Sequence, residues 1–312
     1  MRLLERGKDG IMTMTRDLFG DNIPPYAILS HTWGSDTEEV SFKDWMDGTG
    51  SKLGYDKIRF CGEQAERAGL QFFWVDTCCI DKSNSTELYE AINSMFRWYR
   101  QAEKCYVYLR DVSTTLEESN KSRERPWQED FRKSRWFTRG WTLQELIAPS
   151  TVEFFSTEGT KLGNKKSLES EIHHITGIPV EALQGSVLSG FSVRERMSWI
   201  EKRETARKED KAYSLLGIFE VYMPLIYGEG RNNAFKRLRE EIEKSFPGHS
   251  VSAQPESKFK STVCKLMMAP CVDNTRVDFA SAATIDNYTK SQTASETSLR
   301  APRKSATFSE VA

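Results

Sequence analysis

The chain has 312 residues, enough to bury a large core as one big domain or two ordinary ones. Its 44 Lys and Arg against 45 Asp and Glu leave a formal net charge of −1, which excludes an overall bias toward nucleic acid or anionic membrane. Six Cys without a metal-ligand spacing, only four His, and a charged start (MRLLERGKDG) without a signal peptide predict a cytoplasmic protein with reduced thiols and no bound metal.

All eight Trp fall between Trp33 and Trp199, which places the main folded body there. After a lead segment (1–25) ending in Pro24-Pro25, YAILS (Tyr26–Ser30) reads as a short buried strand. A helix over about Tyr55–Ala68 aligns Ile58, Cys61, Ala65 and Ala68 on one stripe and stops at Gly69. FFWV (Phe72–Val75) is apolar on both faces, as parallel strands covered by helices are. Asn84 with Glu87 is a capping-box-like start for a helix to about Gln101, with Leu88, Ile92, Met95, Phe96 and Tyr99 inward. CYVYL (Cys105–Leu109) is a third strand, Ser113–Lys133 a charged surface loop with at most a little helix, and VEFF (Val152–Phe155) a fourth strand after a helix around Trp141.

Beyond Ser156 the pattern turns helical. Ser192 with Glu195 opens one helix, Lys208–Phe219 forms another, and Ala234, Phe235, Leu238 and Ile242 mark a last amphipathic one. The most apolar run, Tyr213–Tyr227, is too short for a bilayer and holds Glu220 and Pro224, so no transmembrane segment is expected. From about Pro247 the chain is rich in Ser, Thr and Ala without periodicity, which predicts a disordered tail over 247–312. Strands alternating with helices up to Phe155 predict an α/β fold: a mostly parallel sheet flanked by helices, with the loops after the strands on one edge, where such sheets bind ligands.

The candidate site residues lie on those loops. SHTWG (Ser30–Gly34) either lines a pocket, with Ser30, His31 and the Trp33 indole against a polar aromatic ligand, or simply closes the sheet edge. In VDTCCID, Asp76 and Asp81 could bind a metal or ribose hydroxyls, or cap the helix that follows. Cys78 and Cys79 could pair with His31 as a thiolate hydrolase, although buried Cys usually act as small hydrophobes. The richest stretch is SRWFTRGWTLQELIAP (Ser134–Pro149), with three aromatics, two arginines and one carboxylate before a proline. On a helix Trp141 and Glu145 share a face, and a carboxylate beside an indole loses solvation and gains proton affinity. The alternative is a Trp anchored in the core with Glu145 at the solvent edge. Arg139 could pair with a phosphate through its planar fork. No phosphate-loop or dinucleotide glycine signature is present, and Gly228-Glu-Gly230 lacks the strand–helix context for one.

YAILSHTWGSD, FFWVDTCCIDKSNSTELYEAINSMFRWYRQAEKCYVYL and SRWFTRGWTLQELIAPSTVEFF together resemble the three sequence blocks of the HET (heterokaryon incompatibility) domain of filamentous fungi, over roughly Tyr26–Phe155. ARKEDKAYSLLGIFEVYMPLIYGEGRNNAFKRLREEI is similar to the helical module that often follows it. The resemblance implies a HET domain over 26–157, a helical accessory module over 158–246, and a role in allorecognition in which fusion of unlike hyphae triggers programmed cell death. It also implies self-association and other incompatibility or signalling proteins as partners. HET domains are regarded as distant relatives of TIR domains, which implies a TIR-like (flavodoxin-like) sheet. WTLQEL (Trp141–Leu146) is similar to the WxxxE segment of TIR domains, whose Glu is catalytic in those that cleave NAD. That makes Glu145 the candidate catalytic residue and Trp141 a wall of its pocket, with NAD as substrate rather than as a firmly bound cofactor. A non-enzymatic assembly module acting through homotypic contacts is the competing implication.

Overall fold

The computed structural model describes residues 1–7, 9–48, 52–115 and 125–245, so the expected tail over 247–312, with Cys264 and Cys271, lies outside the described residues. Its frame is a seven-stranded sheet: β1 (Leu4–Arg6), β2 (Met12–Met14), β3 (Tyr26–His31), β4 (Phe72–Trp74), β5 (Lys104–Tyr108), β6 (Val152–Phe155) and β7 (Lys161–Asn164), in the order β2-β1-β4-β3-β5-β6-β7. The four middle strands are parallel, with Tyr26 facing Phe72, Ile28 facing Cys105 and Cys105 facing Val152. β1, β2 and β7 are added antiparallel at the edges. The sheet is therefore mostly parallel at its centre and flanked by helices, as the alternation of elements requires.

Two edge features differ from the sequence expectation. The lead segment contributes β1 and β2, and β7 interrupts the stretch read as wholly helical. Neither KLGN nor LER carries an alternating apolar pattern. Pairing with β6 and β4 makes them strands, and local propensity does not.

All six residues of β3 are buried, so both its faces are covered. On one face lies α2 (Gly54–Arg67), whose inward stripe is Gly54, Lys57, Ile58, Cys61 and Ala65. Tyr106 and Tyr108 point to this side: the Tyr106 hydroxyl donates to the Gln64 carbonyl at 3.0 Å, and the Tyr108 and Phe60 rings meet at 5.1 Å. The alternate residues point to the other side, where the Cys105 thiol sits 3.8 Å from the carbonyl oxygen of Glu145. That side is covered by α3 (Ser85–Gln101) and α5 (Thr142–Ile147), which also pack on each other. Trp98 and Tyr99 of α3 meet Trp74 edge-on at 5.6 and 6.0 Å. Asn84 caps α3 by accepting from the Thr86 and Glu87 amides, but the Glu87 carboxylate binds Arg2 and the Asp81 amide, so the box is not reciprocal.

The remaining helices are α1 (Phe42–Met46), α4 (Gln128–Lys133), α6 (Glu169–Thr176), α7 (Val180–Leu183), α8 (Val193–Ser198), α9 (Asp210–Tyr213), α10 (Leu216–Phe219) and α11 (Gly230–Ser245). Ser192 and Glu195 form the expected capping box before α8. The single helix expected over Lys208–Phe219 is two short ones, because the turn at Ser214-Leu215 redirects the chain and lays Gly217 on Phe96 of α3. A Cβ at Gly217 would lie 2.1 Å from Phe96 Cβ, whereas nothing stands within 4 Å of one at Gly190. Gly217→Ala is therefore expected to cost about 1–3 kcal/mol by overpacking. Gly190→Ala should leave the denaturant midpoint nearly unchanged, and equal midpoints for the two variants would refute this packing.

Candidate functional site

Alternation along β3 divides the polar residues at its carboxyl end. Ser30 points toward α5, and His31, one residue on, points toward α2. Two clusters result, one on each side of the sheet, at the point where the chain's parallel strands diverge to β4 on one side of β3 and β5 on the other.

On the α5 side, the Trp136 indole nitrogen donates to Ser30 Oγ at 2.8 Å, and Ser30 Oγ donates to Glu145 Oε2 at 2.5 Å. Trp136 belongs to a turn of 3₁₀ helix, Arg135–Thr138, started by Ser134 accepting from the Trp136 amide. Glu145 is 8 % exposed, Ser30 and Trp136 not at all. Burial pushes the Glu145 carboxyl up to about 8; the Ser30 and Tyr99 hydrogen bonds and Arg139 oppose that rise, and the negative charge of Asp76 adds to it. At neutral pH it is mostly the neutral acid. The Tyr99 hydroxyl also donates to the Leu29 carbonyl at 2.9 Å.

Behind this group lies Arg203, which sequence reasoning passed over. It is fully buried, its Nη1 donates to the Arg139 carbonyl and to Thr142 Oγ1, both at 2.8 Å, and its Nη2 has no partner among the described residues. Burial lowers its pKa to about 10, with Glu145 working against that. Gly140 and Glu204 are backbone-bonded at 2.8 Å, and the Trp141 indole bonds Asp210 of α9. Trp141 thus ties α5 to the helical segment, while Trp136 occupies the place beside Ser30 and Glu145. The helix begins at Thr142, with Trp141 as its N-cap residue in helical conformation.

On the α2 side, His31 Nε2 is 2.9 Å from Asp76 Oδ1 and its Nδ1 is 2.9 Å from Lys57 Nζ. An ammonium only donates, so Nδ1 accepts and Nε2–H donates to Asp76. Lys57 also binds Glu39 Oε1 at 2.5 Å. Trp33, 41 % exposed, donates its indole N–H to Asp76 Oδ2 at 2.8 Å, and the Lys82 ammonium sits over its ring at 3.7 Å. Burial would raise the Asp76 pKa, but Lys82, His31 and Lys57 outweigh it and hold the carboxyl well below the usual range.

The structure brings Ser30 to Glu145 and joins His31, Trp33 and Asp76, but puts the two sets on opposite faces. Cys78 is buried, its thiol held well above the ordinary value by burial, and both His31 ring nitrogens are committed elsewhere, so the two form no thiolate–imidazole couple. Asp81 accepts from the Ser83 amide and hydroxyl, stabilising the turn before α3. Arg139 is half-buried, with its carbonyl on Arg203. Of the residues missed, Trp136 stood in the aromatic-rich stretch, whereas Lys57 and Arg203 gave no signal. Among the described residues no group of His, Cys, Asp and Glu could hold a metal ion, and no helix is long and apolar enough to cross a membrane.

A carboxyl whose folded pKa lies above its unfolded value of 4.5 stabilises the fold below pH 4.5, and that contribution is lost as pH rises to about 8. Every tenfold gain in proton affinity on folding is worth about 1.4 kcal/mol. Denaturation from pH 5 to pH 9 should therefore show wild type losing stability relative to Glu145→Gln, which keeps an acceptor for Ser30. Parallel pH profiles would refute a neutral, buried Glu145.

Residues 26–119 match the family model described as Heterokaryon incompatibility protein (HET). The chain is also 64 % identical over 245 residues to the vegetative incompatibility protein HET-E-1 of Podospora anserina, an alignment covering 78 % of this chain and 18 % of that relative. The chain therefore spans under a fifth of that protein's length, and an alignment this long necessarily takes in its own central region, Glu145 included. No solved structure matches the chain. By its matched segment, which opens with β3, and by this relative, the chain belongs to the heterokaryon incompatibility (HET) family.

Proposed function

We propose that this protein acts in vegetative incompatibility in the cytoplasm, as the part that triggers cell death when unlike cells fuse, and that the Ser30–Glu145 contact is the closed state of its active centre. The observation that carries the family role is the 64 % identity to an incompatibility protein. The observation that carries the mechanism is a buried carboxyl, with its pKa pushed up to about 8, beside the carboxyl end of a central parallel strand. The parallel strands run second-first-third-fourth across the sheet, which supports the flavodoxin-like, TIR-like reading.

The chemistry asked of Glu145 is modest. Nicotinamide leaves NAD from a cationic state and departs neutral, so no general acid is needed. One ionised carboxylate near the ribose stabilises the oxocarbenium-like transition state, an electrostatic contact worth on the order of 10²–10³ in rate. In the closed state Glu145 is neutral and sealed by Ser30, Tyr99 and Trp136, and cannot do this. Activation by self-association must therefore part α5 from β3, hydrate the carboxyl and ionise it. The ties from Arg203, Glu204 and Asp210 to residues 139–142 are what such an opening would loosen. The accessory segment over 158–246 then acts as the strap on a HET domain over 26–157.

That same closure favours a second reading, in which Glu145 is structural and the protein transmits the signal through homotypic contacts alone. Forced oligomers of wild type and Glu145→Gln, incubated with NAD while nicotinamide release is followed, separate the two, together with killing in cells. The catalytic reading expects turnover and killing to fall at least about 10²-fold in the folded variant. Equal killing by both proteins, without nicotinamide release, would establish the assembly reading.

A further inference from the structure

The two edges of the sheet are finished differently. At β7 the backbone amide and carbonyl of Asn164 are taken by Ser167 Oγ and by the Leu168 amide, at 2.9 and 3.0 Å. Exposed Lys161 and a register shift at Phe154 and Phe155 add a charge and an irregularity. Such devices keep an edge from pairing with another chain. β2, at the opposite edge, has none of them: Ile11-Met12-Thr13-Met14-Thr15 holds no charge and no proline, and its register with β1 is unbroken.

The ends of the β1–β2 ladder fix its phase. The Thr15 amide donates to the Leu3 carbonyl at 2.9 Å, and the Gly7 amide to the Ile11 carbonyl at 2.8 Å. Antiparallel bonds alternate, so Thr13 also bonds inward, to Glu5, and the backbone N–H and C=O of Met12 and Met14 point away from β1. The Arg6 amide, of the opposite phase on β1, accordingly bonds the carbonyl of Gln71, just before β4, at 3.1 Å. No other group among the described residues bonds the backbone of Met12 or Met14. Side chains alternate as well: Met12 and Met14 are half-buried against the core, while Ile11, 62 % exposed, and Thr13 face solvent. This edge is complementary to itself. A two-fold axis through Thr13 sets Met14 of a second copy opposite Met12, and such a pair exchanges both outward backbone bonds. Thr13 then meets Thr13 of the second copy, and Ile11 lies beside its Thr15, β-branched pairs that favour a sheet. No charges meet within that frame.

We infer that β2 is the contact through which two copies of this chain associate, joining their sheets edge to edge in antiparallel register about Thr13. The inference rests on the self-association in the proposed function and gives it a surface. A frame running only from Ile11 to Thr15 buries less than the ~1,200 Å² at which standard stable interfaces begin, so the contact is weak and depends on concentration.

Sedimentation of the full chain over a concentration series, with oxidative cross-linking, tests this. Wild type should pass from monomer to dimer as concentration rises. Thr13 is exposed, so Thr13→Lys should leave circular dichroism and melting temperature unchanged. It sets two ammonium groups against each other on the axis and should weaken the dimer about tenfold or more, whereas Thr13→Val should keep it. Thr13→Cys should give a disulfide-linked dimer above the wild-type background, because residues on the axis form a non-hydrogen-bonded pair with Cα atoms about 4.5 Å apart, within disulfide reach. Lys161→Cys, at the other edge, should not. Dimers that persist in folded Thr13→Lys, or cross-linking through Lys161→Cys as ready as through Thr13→Cys, would overturn the β2 contact and leave self-association to another surface. A chain that stays monomeric at every concentration would overturn both. Loss of the dimer in Thr13→Lys with killing in cells unimpaired would support the contact and remove self-association from activation.

Discussion

The alternation of side chains along β3 governs the chemistry of this molecule. A strand buried on both faces cannot present successive residues to the same partner, so Ser30 and His31 serve different neighbourhoods although the peptide bond joins them. The α5 side holds a hydroxyl, an indole N–H and a protonated carboxyl, all close to neutral. The α2 side holds a row of formal charges, Glu39, Lys57, Asp76 and Lys82, with His31 between two of them. The sheet separates the α5-side group, with Arg203 behind it, from the charged α2 side, and the negative charge of Asp76 helps keep Glu145 protonated.

Much of this frame was legible in the residues themselves. Strands at YAILS, FFWV, CYVYL and VEFF follow from short apolar runs bounded by turns, and the stripes of α2 and α3 follow from helical spacing. The polarity of the strand ends pointed to Ser30, His31 and Asp76 as candidates, and the acid in an aromatic stretch pointed to Glu145. Which of them meet was not legible, because that depends on the face each takes and on where α5 begins. Trp141, the N-cap residue of α5, bonds Asp210, while Trp136 in the 3₁₀ turn before it donates to Ser30. Arg203 sits in a run of alternating charges that reads as solvated surface. Only the approach of residues 138–142, whose carbonyl and hydroxyl groups it satisfies, makes its burial tolerable. β7 was hidden for a similar reason: KLGN becomes a strand only where β6 offers an open edge.

The buried groups around Glu145 and Arg203 are held at an electrostatic cost. Glu145 avoids the cost of a buried charge by keeping its proton, so its burial is tolerable only while the site stays dry and the pH stays below about 8. Arg203 has no such escape. Its guanidinium stays charged, is fully buried, and leaves Nη2 unsatisfied, so the strap is held by two good hydrogen bonds against a standing penalty. Hydration of Arg203 would relieve that penalty at the expense of its two hydrogen bonds. A few kcal/mol of differential contact is enough to shift a two-state arrangement of this kind.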